Sequence, residues 1–113
     1  MQDSRTELSV SNEVLEKMAE IAACEIEGVT LSKRAVDIKD VIRTKSAFKG
    51  VIVENAGGTV KLTIYICVKN NIEVRNASEA VQKNVKEKLQ TMTGTVVTRV
   101  DVKVVDVAVE NAQ

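Results

Sequence analysis

The 113-residue chain contains no histidine, no proline and no tryptophan, and its aromatics are one tyrosine and one phenylalanine. The missing histidines remove the commonest general base and the commonest metal ligand. No G-x-S-x-G, P-loop or dinucleotide-binding fingerprint takes their place. The carboxylates near the N-terminus could be read as an acid–base pair, but spread around an exposed helix they serve solubility and the helix dipole. We therefore expect a protein that is not an enzyme, with no cofactor, no metal centre and no small-molecule substrate. Cys24 and Cys67 form no C-x-x-C pair, and without histidine they make no zinc site. Reduced, partly buried thiols are expected. Long apolar runs are missing too. Met1 to Glu7 holds no signal-peptide core, and no later segment nears the roughly 20 apolar residues of a spanning helix. The expectation is a cytosolic chain. Small α+β domains often bind RNA, and a KH-like RNA-binding module is the alternative reading. Two aromatics give bases little to stack on, the G-x-x-G clamp is absent, and Gly57-Gly58 falls in a hairpin, so nucleic-acid binding is not expected.

What is present is enough apolar material for one core. With 44% hydrophobic and 28% charged residues, residues 1–113 read as a single domain, with residues 1–7 and 110–113 frayed. Sixteen basic residues balance sixteen acidic ones, so no whole-chain field draws the protein to nucleic acid or anionic lipid. Locally the balance tips. Up to Glu27, seven carboxylates oppose only Arg5 and Lys17, whereas from Lys33 to Lys49 six basic side chains oppose Asp37 and Asp40. Solvated helix faces and loops account for such runs.

Leu8 and Val10 alternate with polar neighbours and read as a short strand or extended lead-in. Ser11 is the N-cap of a first helix whose Leu15, Met18, Ala22 and Ile26 recur at helical spacing, with Val14 and Ile21 widening that face. Glu13 and Glu16 suit its dipole, and Gly28 supplies the stop. From Gly28 to Lys49 the pattern weakens to Ala35, Val36, Ile38, Val41 and Ile42, a short amphipathic helix or a docked connection. Val51–Val53 and Val60–Val68 form a hairpin around Gly57-Gly58, which permit the positive φ of a tight reversal. In its second strand Val60, Leu62, Ile64, Ile66 and Val68 face the core, leaving Tyr65 and Cys67 on the sheet surface. A second helix runs from about Ala77 to Thr93. Asn76 is its N-cap, Glu79 completes a capping box, and Ala77, Val81, Val85, Leu89 and Met92 are its buried stripe. Val96 to Val109 form a final strand with Thr98, Val100, Val102 and Val104 on one face and Arg99, Asp101 and Lys103 on the other. After Val104 the phase shifts to Val105, Val107 and Val109. Either a bulge returns these valines to the core, or a terminal edge strand presents them to another chain; they are the candidate interaction residues. The order β-α-β-β-α-β predicts an α+β fold, a small antiparallel or mixed sheet with two helices on one face, ferredoxin-like in arrangement.

Leu8-Ser9-Val10-Ser11-Asn12-Glu13-Val14, leading into a helix that ends Glu25-Ile26-Glu27-Gly28-Val29, resembles the opening of the alkaline-shock, or envelope stress response, family of Gram-positive bacteria. There I-S-x-E-V precedes A-x-x-E-V-E-G-V. Lys49-Gly50-Val51, the strand from Leu62 to Val68, Val81-Gln82-Lys83-Asn84-Val85 and Met92-Thr93-Gly94 match the family's later blocks in order and spacing. Where the family shows Tyr-Gly and then Pro before the second helix, this chain has Asn70-Asn71 and Arg75, and Asn71 is able to adopt the left-handed conformation that glycine would. The resemblance implies a non-enzymatic protein linked to alkaline or cell-envelope stress, held near the membrane by a membrane-anchoring partner protein or by self-association. It carries over no catalytic residues.

Overall fold

A computed structural model describes residues 10–32 and 50–108. The elements follow one another as α1 (Asn12–Cys24), β1 (Val29–Leu31), β2 (Val51–Ala56), β3 (Thr59–Lys69), α2 (Val74–Thr93) and β4 (Val96–Ala108). β3 is the axis of the sheet. Along one of its edges β1 and β2 lie end to end, both antiparallel, with Val29 opposite Val68 and Val51 opposite Ile64. They act as two halves of one strand: the Ser32 N–H donates to the Tyr65 carbonyl (2.8 Å) and the Tyr65 N–H to the Gly50 carbonyl (2.9 Å). Gly50 has φ +93, and a Cβ there would stand 2.8 Å from the Ser32 carbonyl oxygen, so the junction admits only glycine. On the other edge β4 runs parallel to β3, from Val96 opposite Thr59 to Ala108 opposite Lys69. A parallel pair needs a crossover, and α2 is that crossover.

The fold is α+β, with a mixed sheet and two helices packed together, the ferredoxin-like arrangement expected. One feature differs. β4 pairs directly with β3, and the described residues place no N-terminal strand between them. Val10 is not in a strand. Leu8, the helix expected among residues 35–42 and the frayed ends lie outside the described residues. β1 is the strand that alternation misses, because three residues are too few to register a period.

Ser11 caps α1 as expected, its Oγ accepting from the Val14 N–H at 3.2 Å. α2 begins earlier than its sequence suggests. Glu73 is the N-cap and makes no side-chain capping bond, so Asn76 sits inside the first turn and the capping box with Glu79 does not form. The turn after β3 decides this: Ile72 N–H bonds the Lys69 carbonyl at 3.0 Å, reversing the chain at once. Asn71 does not adopt a positive φ, since no non-glycine residue among those described does.

The core joins Leu15, Ala19, Ala22 and Ala23 of α1 and Ala77, Val81, Val85 and Leu89 of α2 to the even-numbered face of β3, Val60 to Val68. Three alanines let α1 approach closely. They also narrow its buried stripe, so Val14 and Ile21 are exposed rather than part of the core, as is Met92 at the end of α2. On the opposite face Tyr65 is fully buried and Ile52 nearly so. Tyr65 is therefore not the sheet-surface residue that alternation suggests.

Candidate functional site

β4 owes its length to nearly unbroken valine alternation, and two extra residues correct its phase against β3. Thr98 is inserted between the Val97–Val60 and Arg99–Lys61 pairs, and its Oγ1 donates to the Val60 carbonyl at 3.3 Å. Val105 is inserted between the Val104–Ile66 and Asp106–Cys67 pairs. This second bulge brings Val107 opposite Val68, onto the face of Val100, Val102 and Val104. Of the two accounts of the displaced valines, the bulge is thus present. It does not bury the strand end, because Val107 stays 41% exposed and Val105 is half-buried. Val109 lies outside the described residues.

β3 is the one strand neighbour of β4 among the described residues, so β4 forms an edge of the sheet that those residues make. Gln82 reaches this region from α2, its Nε2 donating to the Val100 carbonyl at 3.1 Å. On the face away from the helices, Arg99 Nε donates to Asp101 Oδ1 at 2.8 Å, a bond that holds the guanidinium proton more firmly than usual. The Lys103 ammonium lies 5.6 Å from the centre of the Tyr65 ring, within cation–π range. At the strand's end Asp106 Oδ1 accepts from the Val107 N–H at 2.8 Å.

A second surface lies between the helices. Asn84 Nδ2 donates to the Ala22 carbonyl (2.7 Å) and to Glu25 Oε1 (2.8 Å), while Lys88 Nζ reaches Glu25 Oε2 at 3.2 Å. The Asn84 hydrogen bond first, then that of Lys88, holds the Glu25 carboxyl below the usual carboxylate range. Beside this latch opens a cleft of about 270 Å³ lined by Met18, Ile21, Ala22 and Met92. A smaller recess of about 150 Å³ lies on the other flank of α1, among Glu13, Glu16, Lys17, Glu20 and Val51. Neither brings a nucleophile, a base and an oxyanion donor together. Among the described residues no three of histidine, cysteine, aspartate or glutamate cluster as a metal set, and no helix is long and apolar enough to cross a membrane. Both thiols are free; Cys67 is half-buried as expected, but Cys24 is exposed. With Tyr65 buried, no aromatic among the described residues is available to stack on a base. The basic residues Lys33, Arg34 and Lys39 lie outside the described residues. Gln82 and Asn84 lie in the Val81–Val85 block that carries the family resemblance, but no local pattern assigns either of them a partner.

The model of the alkaline shock protein 23 family, described as having a cell envelope-related function, matches residues 1–109. The chain belongs to this family. No curated protein matches this alkaline-shock chain significantly. Its fold is similar to solved structures of the MamM C-terminal domain. A zinc form of one variant gives a TM-score of 0.59 at 15% identity, covering 89% of this chain and 91% of that one. A second variant gives 0.52 at 11%, covering 87% and 100%, and a nickel form of a third gives 0.51 at 11%, covering 85% and 99%. At such identities the likeness shows the fold alone, and the zinc and nickel belong to MamM.

Proposed function

We propose that this alkaline-shock protein is a non-catalytic component of the envelope stress response, working by protein–protein association at the cytoplasmic face of the membrane through the outer edge of β4. The family's cell envelope-related function supports the setting. The observation that carries the association is the long edge strand ending in exposed Val107 beside the Val105 bulge; Val109 continues the same run in the sequence. An edge strand binds by strand addition: its backbone groups supply hydrogen bonds and its alternate side chains supply selectivity. Membrane contact is then indirect, through an anchoring partner protein or through self-association.

The test is co-sedimentation of purified protein with membranes from its own cells and, separately, with bare anionic liposomes. Wild type sediments with the native membranes and binds the liposomes weakly. Val107→Lys loses the native membranes while keeping the wild-type unfolding midpoint. Equal sedimentation of Val107→Lys and wild type would contradict the edge as the contact, and tight liposome binding would contradict the partner.

A further inference from the structure

Resting on the association reading above, we propose that the strand added to β4 is the β4 of a second copy, antiparallel to the first, about a two-fold axis through Val102. Directly opposed residues of an antiparallel pair share one face of the sheet. β4 carries Val97, Val100, Val102, Val104 and Val107 on the helix face and Arg99, Asp101, Lys103 and Asp106 on the other. Slipping the register by one residue sets valines against charges, so only registers that keep the faces together survive.

Charge sorts those that remain. An axis through Asp101 opposes Asp101 to itself and Arg99 to Lys103. An axis through Lys103 opposes Lys103 to itself. Like charges directly opposite one another destabilise a strand pair, which disfavours both. An axis through Val100 opposes Arg99 to Asp101 but overlaps only Val96 to Val104. The axis through Val102 opposes Asp101 to Lys103 twice, Val100 to Val104 twice and Val97 to Val107 twice. It uses all 13 residues of β4 and makes no like-charge pair. The interface is isologous and closes after two copies, as a two-fold contact must. Val107, exposed in the single chain, gains Val97 of the second copy as its neighbour.

Gln82 has a part in this scheme. Its amide holds the Val100 carbonyl, and in the Val102 register Val100 is opposite Val104 of the second copy. Gln82 thus acts as a guard that the incoming strand displaces, one of the ways in which natural edges are blunted.

Sedimentation equilibrium of the full chain tests the proposal with Asp101→Lys, Lys103→Asp and the double exchange. Each single change creates two like-charge pairs across the axis and weakens dimerisation by about tenfold or more. The double exchange restores the unlike pairs and returns the dimer to near wild-type affinity, which a mere loss of fold could not do. Gln82→Ala tightens the dimer. A double exchange as weak as either single overturns the proposal, as does a Lys103→Asp protein that dimerises like wild type, the outcome an axis through Val100 would give. Wild type that stays monomeric at its highest soluble concentration, while Val107→Lys still loses native membranes, overturns the second copy as partner and leaves the edge reading standing. Val107→Lys that keeps the membranes sinks the edge reading itself.

Discussion

Asn84 spans the helix pair with a single amide, donating to the Ala22 carbonyl at 2.7 Å and to Glu25 Oε1 at 2.8 Å. Removing it leaves a part-buried carbonyl unpaired, so Asn84→Ala should lower stability by about 1–2 kcal/mol in urea melts. The neighbouring Lys88–Glu25 pair is largely solvent-exposed and should contribute little to stability. The carboxyl of Glu25 carries a pH signature. Its folded pKa lies below its unfolded value, so what it contributes is fully present above the unfolded value and is lost as pH falls through the folded one. Asn84→Ala should raise the Glu25 pKa in an NMR titration and reduce the loss of stability on acidification below about pH 4. An unmoved Glu25 titration would show that the 2.8 Å bond does not persist in solution. Gly28 is held by two constraints: its φ is +81, and a Cβ would meet Ile72 Cγ1 at 2.5 Å. Gly28→Ala should therefore cost about 1–3 kcal/mol, through strain and the displacement of Ile72.

Among the elements, α2 and β4 differ in what their apolar residues do. Leu89 is fully buried in the core, and Leu89→Ala should cost about 2–5 kcal/mol. Val107 is 41% exposed, and Val107→Lys should cost less than about 1 kcal/mol. A loss for Val107→Lys as large as that for Leu89→Ala would mean that the strand end is core after all. The contrast shows which parts of the structure the sequence reveals. β3 alternates over enough residues to name its core face outright, and the broken phase after Val104 marks the Val105 bulge. The bulge at Thr98 leaves no such mark, because threonine suits either face of a strand. The start of α2 is not legible either, since the turn at Lys69–Ile72 sets it rather than the capping potential of Asn76. Val14, Ile21 and Met92 satisfy the helical period and are nevertheless exposed, because a period cannot say how wide a stripe the facing surface will cover. The latch of Asn84 and the guard of Gln82 depend on residues distant in sequence, Ala22, Glu25 and Val100, which no local pattern brings together.

At the scale of the whole molecule, two helices lie against one another over the sheet, β1 and β2 share one edge of β3, and β4 holds the other. Sixteen charges of each sign leave no net field, so encounter is not steered over long range, and specificity falls to short-range pairing along the edge. The chain belongs to a family with a cell envelope-related function, and the contact proposed for it lies on β4. Amide hydrogen exchange compared between dilute and concentrated protein tests that assignment most directly. If copies join through β4, its amides that point away from β3 gain protection with concentration, while those of β2 and of the helices are unchanged. If assembly instead protects amides of α1 and α2, and β4 exchanges as fast in the concentrated protein as in the dilute one, the contact lies elsewhere and the account is wrong.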